Sequence, residues 1–402
     1  MTGCGQVVLA TDSSSRVLPA TSLGRPRVAI LCDFREENWP SMDLVGDMLT
    51  DRLAREHHGD IHAEQIVPRM PQPFGVHREG RLKNVHRVLG RFRTYPQEVR
   101  KLRDRFDLFH IVDHSYAHLA LELPPERVIV TCHDLDAFAA LLPGPRSRGP
   151  LQTSIARRLL AGLQSAAWIT CATNATRALL LEHQLAAPER TSVVHNGVHP
   201  AFTTQANLLA DQAIQNLLGA GESPEVLHVG STIARKRIQD VLGVFAKVRA
   251  RIPKLRLLRV GGVFTSEQQQ LVRKLGLADS IDVLPHLDGA TLAALYRRAR
   301  VVIQPSEAEG FGLPVIEAMA CGTPVIASDI PALREVGGEA AEYCPVGDVE
   351  SWSSRLFTLL SEQRDSAAHT LRRRAGLQQA SRFSWSEYAT QMTQLYREVL
   401  AW

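Results

Sequence analysis

Glu309 and Glu317 flank a glycine turn in the stretch SEAEGFGLPVIEAMACGTPVIAS, which runs from Ser306 to Ser328. Gly310 and Gly312 allow backbone angles that other residues avoid. Pro314 suits the first turn of a helix, where its missing N–H costs nothing. Free N–H groups gathered at a helix start bind anions, phosphate above all. A carboxylate beside phosphate is unfavourable unless it touches something else, and two vicinal sugar hydroxyls can both donate to it. The stretch therefore points to a ligand with both phosphate and sugar. A second stretch, LHVGSTIARKRIQDVL, carries Arg235, Lys236 and Arg237 in a row. Consecutive residues cannot all reach one contact, but two of them in a cleft would stabilise a departing diphosphate. The plainer readings are a solvated basic turn for the cations, a loop acid for Glu309, and a helix-dipole partner for Glu317.

These residues need elements to hold them. Apolar runs such as RVAILCD, LFHIVDH, RVIVTCHD, WITCAT and SVVHNG alternate with helical patterns, and a second series reads EVLHVG, LRLLRVGG, IDVLPH, VVIQPS and PVIAS. Such alternation predicts parallel sheets covered on both faces. The expected fold is α/β, with two doubly wound domains facing a cleft. The expected division is a tail over 1–25, a first domain over 26–200, connecting material over 201–223, a second domain over 224–384, and a closing helix over 385–402. The segment SMDLVGDMLTDRLARE reads as a helix with Ser41 as its N-cap. Ligands of such sheets bind beyond the carboxyl ends of the strands. TCHDLD, VGSTIARKR, LPHLDG and PSEAEGFG all fall there.

Composition narrows the class. The chain has 402 residues, 45% hydrophobic and 22% charged, with a net charge of +4. That is too long for one ordinary core and fits a soluble globular protein of two domains. No apolar run reaches the roughly 18 residues that span a bilayer, and the first 25 residues lack a signal-peptide core. Cytoplasmic location follows as an expectation. Cys4, Cys32, Cys132, Cys171, Cys321 and Cys344 form no C-x-x-C pair, so reduced buried thiols are expected. Between Arg69 and Asp107 there are eleven Lys or Arg against four Asp or Glu. Val85, Val88, Leu89 and Phe92, then Val99, Leu102 and Phe106, follow helical spacing there. The segment reads as two core-packed helices with a basic face, or as a surface for an anionic membrane or acceptor. No nucleic-acid-binding motif accompanies it. His114 and His118 have metal-ligand spacing only if helical, and LFHIVDHSY reads as strand into loop. Asp134 and Asp136 could hold a divalent ion, but Arg and Lys at the phosphate make an ion dispensable. A nicotinamide enzyme needs G-x-G-x-x-G after a strand, which RVAILCDFREEN and LLRVGGVFTSEQ do not supply.

The block PSEAEGFGLPVIEAMACGTPVIASD resembles the signature of the retaining glycosyltransferases of the GT-B fold, glycosyltransferase family 4 or group 1. LHVGSTIARKRIQDVL is similar to that family's phosphate turn, VVHNGVHPAF to its interdomain turn, and FSWSEYATQMTQLYREVL to its last helix. The resemblance implies a nucleotide-diphosphate sugar donor, a UDP- or GDP-sugar, with no obligatory metal and no other cofactor. It implies a hydroxyl acceptor, lipid-linked or polysaccharide, and a role in polysaccharide, glycolipid or cell-envelope synthesis. Glu317 would hold the ribose hydroxyls, and Glu309 the transferred sugar. The amides of Gly310, Phe311, Gly312 and Leu313 would meet the diphosphate or sugar. Lys236 with Arg235 would neutralise the leaving diphosphate, Leu287 would bracket the base, and His133 would face the sugar from the first domain. Two departures stand out. Ser231 occupies a position where many members have Arg, so Arg235 would substitute. DFREENWPSM replaces a glycine-bearing loop after the first strand, and Arg35, Asn38, Trp39 and Ser41 read either as an acceptor pocket or as a helix cap. A non-catalytic nucleotide-sugar binder, and an epimerase or phosphorylase of the same architecture, are the competing readings.

Overall fold

The computed structural model describes residues 24–70, 86–143, 149–221 and 223–401. Cys4, and the part of the basic segment from 71 to 85 with Val85, lie outside them. Among the described residues, twelve strands form two six-stranded sheets. The first contains β1 (Arg27–Leu31), β2 (His62–Ile66), β3 (Leu108–Ile111), β4 (Val128–Cys132), β5 (Trp168–Cys171) and β6 (Thr191–Val193). The second contains β7 (Glu225–Val229), β8 (Arg256–Val260), β9 (Ile281–Leu284), β10 (Val301–Gln304), β11 (Val325–Ser328) and β12 (Glu342–Cys344). Every pairing is parallel, for example Val28 beside Leu108 and Val301 beside Val226. Parallel strands need helical crossovers on both faces, so their residues are apolar on both sides. The apolar clusters obey this. Ala29, Phe109 and Val130 face one core, while Val28, Ile30 and Ile129 face another. The second sheet is likewise split between Leu227 and Val302 on one face and Val226 and Ile303 on the other.

Strand order places the sites. It runs β2-β1-β3-β4-β5-β6 in the first sheet and β12-β11-β10-β7-β8-β9 in the second. The direction of winding therefore reverses between β1 and β3, and between β10 and β7. Crevices for ligands open at such reversals, beyond the carboxyl ends of the strands. The chain ends in a helix, Trp385–Ala401, that returns to the first sheet. Trp385, Tyr388, Met392 and Tyr396 pack with Val28 and Ile30, and the Tyr396 hydroxyl meets His110 Nδ1 at 2.7 Å.

Several local expectations need correction. Ser41 is not the N-cap of the Pro40–Glu56 helix; Trp39 holds that place, and Pro40 takes the first helical position its fixed φ favours. HSYAH is not loop: His114–Glu122 is a 3-10 helix capped by the Asp113 carboxylate, which accepts from the Ser115 N–H. Val88 and Leu89 are exposed, because the turn that follows, Gly90–Thr94, is a π-helix whose extra residue per turn rotates the apolar stripe. Phe92, Tyr95, Val99 and Phe106 do reach the core. The segment expected to connect the domains contains a helix, Leu208–Leu218, whose Ala210 and Ile214 join Phe202 and Tyr296 in the second core.

Candidate active site

The reversal between β10 and β7 brings the two charged stretches together. After β7 the chain makes a 3-10 turn, Ala234–Lys236, and Arg237 adopts a left-handed conformation before the Ile238–Arg251 helix. This turns Arg235 and Lys236 toward the loop that follows β10. Lys236 Nζ donates to Glu309 Oε1 at 2.5 Å, and Arg235 Nη1 donates to Glu309 Oε2 at 3.2 Å. Ser306 Oγ and Gln304 Nε2 donate to the same Oε1 at 2.7 and 2.8 Å. Burial alone would push the Glu309 carboxyl up, but the two cations and these hydrogen bonds outweigh it and hold it below its ordinary value. Glu309 is thus an anion fixed by four donors.

Glu317 sits one helix turn deeper, in Leu313–Ala320. Its described hydrogen bond is from the Tyr296 hydroxyl at 2.7 Å. Burial raises its pKa to about 7, against the smaller opposing effect of that hydroxyl. It has acceptor capacity left over, which suits a ligand that brings hydroxyl donors. Gly312 begins the helix at φ 101 and no side chain caps it. A Cβ there would come within 2.5 Å of Leu333 Cδ2.

The glycine turn also touches the first domain. The Gly310 carbonyl accepts from Thr173 Oγ1 at 2.9 Å and Thr176 Oγ1 at 3.3 Å, and a Cβ on Gly310 would stand 1.9 Å from the His133 carbonyl oxygen. Only glycine admits this approach. The Phe311 ring stands edge-on to Phe383 at 5.6 Å, in a small apolar cluster with Ala172 and Val336. Leu313 lies at the edge of that cluster. Leu287 is half-buried against the second core, and Ser231 is half-buried beside the β7 turn. A second bridge between the domains is Glu335, which accepts from Asn174 N and Nδ2 at 2.8 Å and from Ala175 N at 3.1 Å, and meets His195 Nε2 at 2.7 Å.

His133 is brought to the rim of the cleft but not as a free imidazole. Its Nε2 meets the Val112 carbonyl at 2.8 Å, so that nitrogen carries the proton. Burial lowers its pKa, so the ring is neutral. Its remaining chemistry is that of an acceptor at Nδ1. The charged imidazole is its neighbour. His114 stands 3.2 Å from Asp113 and 3.4 Å from Asp134. Burial opposes its charge, but the two carboxylates prevail and raise its pKa to about 10. Asp134 and Asp136 do not form an ion site with each other. They pair with Arg235, Asp136 at 3.0 Å and Asp134 at 3.6 Å. Among the described residues no group of three or more His, Cys, Asp or Glu is arranged to hold a metal ion, and none of the helices is long and apolar enough to cross a membrane.

Sequence reasoning missed Tyr296, Gln304, Ser306, Thr173, Thr176 and Glu335. Ser306 and Gln304 had a signal, since they sit just before Glu309 in the motif. Thr173 had another, as the capping residue of NATRALLLE. Tyr296 had none, because nothing in spacing ties it to Glu317.

Two family profiles cover most of the chain. Residues 211–378 match the one described as Glycosyl transferases group 1, and residues 48–202 match Glycosyltransferase Family 4. A D-inositol 3-phosphate glycosyltransferase of Segniliparus rotundus is 33% identical over 235 residues, which cover 55% of this chain and 50% of that protein. The match thus spans about half the length of that curated relative. Among solved structures, a sucrose-phosphate synthase from Thermosynechococcus elongatus superposes with a TM-score of 0.71 at 22% identity, over 94% of this chain and all of that one. HepE of Anabaena, in complex with UDP and glucose, gives a TM-score of 0.71 at 16% identity over 93% of this chain and all of that one. Both likenesses show a shared fold.

Proposed function

We propose that this chain, which belongs to the group 1, family 4 glycosyl transferases, moves a hexosyl group from a nucleotide-diphosphate sugar to a hydroxyl acceptor with retention of anomeric configuration. The observation that carries this reading is the meeting of Lys236, Arg235 and Glu309 at the reversal between β7 and β10, beside the uncapped helix start at Gly312. A diphosphate docked on the helix amides would take up the two cations, which need no metal ion to assist them. Glu317 would accept from the ribose hydroxyls. Glu309, kept anionic, would then orient the sugar. Front-face attack of the acceptor hydroxyl, with its proton passing to the leaving phosphate oxygen, gives retention without a covalent enzyme intermediate. Positioning and charge stabilisation supply the acceleration. Closure of Gly310 onto His133 and Thr173 would align the two substrates and expel water.

A UDP- or GDP-sugar is the donor in this reading, and the acceptor is a hydroxyl of a lipid-linked or polysaccharide glycan. In this reading the enzyme works in the cytoplasm, at the inner membrane face when the acceptor is lipid-linked. The basic run 69–107 in the first domain suits that surface, although Arg100 and Arg103 are engaged with Glu122 and Arg91 with Ser115. The test is a thermal-shift screen of UDP-, GDP- and ADP-sugars, followed by proton NMR of the product's anomeric centre. A donor at a hundred times its Kd should stabilise the fold by about 2.7 kcal/mol. Absence of any nucleotide-dependent shift, or a product of inverted configuration, rejects the reading.

A further inference from the structure

Behind the turn that follows β7 lies a cation that the chemistry above does not use. Arg259 belongs to β8, inside the apolar run RLLRV. It is 0% exposed. Its Nη1 donates to the Val260 carbonyl, while Nε and Nη2 have no hydrogen-bond partner among the described residues. Burial acts on its pKa and pushes it down to about 10, with no carboxylate opposing. The guanidinium therefore keeps its charge at neutral pH. Arg256, earlier in the same strand, is neutralised in the ordinary way: it donates to both oxygens of Asp282, at 2.9 and 2.7 Å.

Strand register sets this charge behind the turn. β7 and β8 pair in parallel with His228 beside Arg259, so both side chains leave the sheet on the same face. That is the face of Val226 and Leu257, which packs with Ile238 and Val241 of the helix that follows the turn. A Cβ placed on Gly230 would stand 3.5 Å from His228 Cε1 and 3.6 Å from Lys236 Cδ, so the imidazole lies against the turn. Burial first, then Arg259 and Lys236, holds the His228 pKa well below its ordinary value. A neutral ring thus stands beside two cations. The cations of the turn itself are committed: Arg235 to Glu309, Asp134 and Asp136, Lys236 to Glu309, and Arg237 to Asp240 and Glu307. Ser231, in the same turn, adds no charge. A buried cation without a carboxylate costs stability, and its uncancelled charge raises the positive potential around it.

We propose that Arg259 is a positioning residue for the donor's diphosphate, a buried guanidinium that acts through His228 and the β7 turn to hold the anion without touching it. The inference rests on the reading of the β7–β10 reversal as a diphosphate site. The strand order sets β10, β7 and β8 side by side, so Arg259 stands two strand spacings, about 10 Å, from the strand that leads into the glycine turn. At an effective dielectric of about 20, a unit charge about 10 Å away changes the affinity of an anion on the order of tenfold. The field acts on the phosphates and leaves the uncharged base and ribose unaffected.

Ligand-observed NMR titration of the full chain tests it, with UDP, GDP, uridine, guanosine and inorganic diphosphate as probes. Arg259→Met is expected to weaken inorganic diphosphate and the bound nucleotide, UDP or GDP, about tenfold, and to leave the matching nucleoside within about twofold. Arg259→Lys keeps the charge and should stay within about threefold of the parent. Arg259→Met should also melt no lower than the parent, since it removes a buried charge without a partner; Arg259→Gln carries the same comparison if the methionine variant does not fold. Anions held by the neutral variant as tightly as by the parent overturn the proposal. So does a lysine variant that loses as much as the neutral one, or a nucleoside weakened as much as its diphosphate. The two readings fail separately. If neither UDP nor GDP binds the unmodified chain, the transferase reading falls and inorganic diphosphate decides the role of Arg259; if diphosphate does not bind either, both fall. If a nucleotide binds and the neutral variant loses nothing, the Arg259 assignment alone falls.

Discussion

Replacing Glu317 by Gln gives the most discriminating test of the donor site. Glu317 is 7% exposed and packed beneath Tyr296 and Cys321. Its carboxyl titrates near 4.5 when solvated and at about 7 in the fold. Between those values the folded chain keeps a proton that the unfolded chain has released. Stability from this residue therefore falls as pH rises through that window, and the loss is complete above the folded value. At 1.36 kcal/mol per unit the full cost is about 3 kcal/mol at pH 8 and about 1 kcal/mol at pH 5. Glutamine keeps the shape and can still accept from the Tyr296 hydroxyl, but it cannot ionise. The variant should thus gain about 2 kcal/mol over the parent between pH 5 and pH 8. At about 2–4 °C per kcal/mol for a domain of this size, that is roughly 5 °C in relative melting temperature. Scanning calorimetry of both proteins at the two pH values measures it. Donor binding should move the opposite way, about tenfold weaker in the variant, because a charged acceptor is lost to the ribose hydroxyls. Parallel melting curves at both pH values would refute the claim that Glu317 carries a buried charge cost, and undiminished donor affinity would remove it from the donor site.

Lys236→Met should lower kcat at least about a hundredfold, as loss of one buried charge-stabilising group does, when nucleotide release is followed at saturating donor. Gly310→Ala places a methyl 1.9 Å from the His133 carbonyl. It should block closure, so turnover should fall more than about tenfold while the UDP Kd from calorimetric titration stays within about threefold. Arg298→Met removes both donors at 2.7 and 2.6 Å from buried Glu225, and urea unfolding should show a loss of about 3–5 kcal/mol with no effect specific to donor binding.

The strands were legible because a parallel sheet buries both of its faces, and runs such as VVIQ and VIVTC then read as unbroken apolar segments. The glycine turn and its two acids were legible because they sit within one short stretch. What joins them was not. Arg235 and Asp136 are 99 positions apart, and nothing in spacing says that β4 and β7 end on the same cleft; that follows only from how two separate sheets face each other. LFHIVDHSY reads as strand into loop, and nothing in its spacing shows that the partners of His114 are acids set at the ends of β3 and β4. The Ser41 cap failed for a local reason: Pro40 can begin a helix and Ser41 cannot cap one that has already begun. The role of the Leu208–Leu218 helix was obscured by its two most exposed residues, Leu208 and Leu209, which blur the apolar stripe.

Arg235 makes the two halves of the molecule chemically dependent on one another. It donates to Glu309 from the second domain while pairing with Asp134 and Asp136 from the first. Two cations, Arg235 and Lys236, thus face Glu309, Asp134 and Asp136, and the charged His114 also pairs with Asp134. A diphosphate brought against the same cations would compete with these carboxylates for them. Because Asp134 and Asp136 belong to the first domain, their contacts to Arg235 tie the two domains together at the centre of the cleft. The Glu335 clasp on Asn174 and Ala175 lies at other strands' ends and shares no residue with the Arg235 contacts. One guanidinium is thus shared by both domains, and Thr173, Thr176 and the Gly310 carbonyl make a second tie beside it.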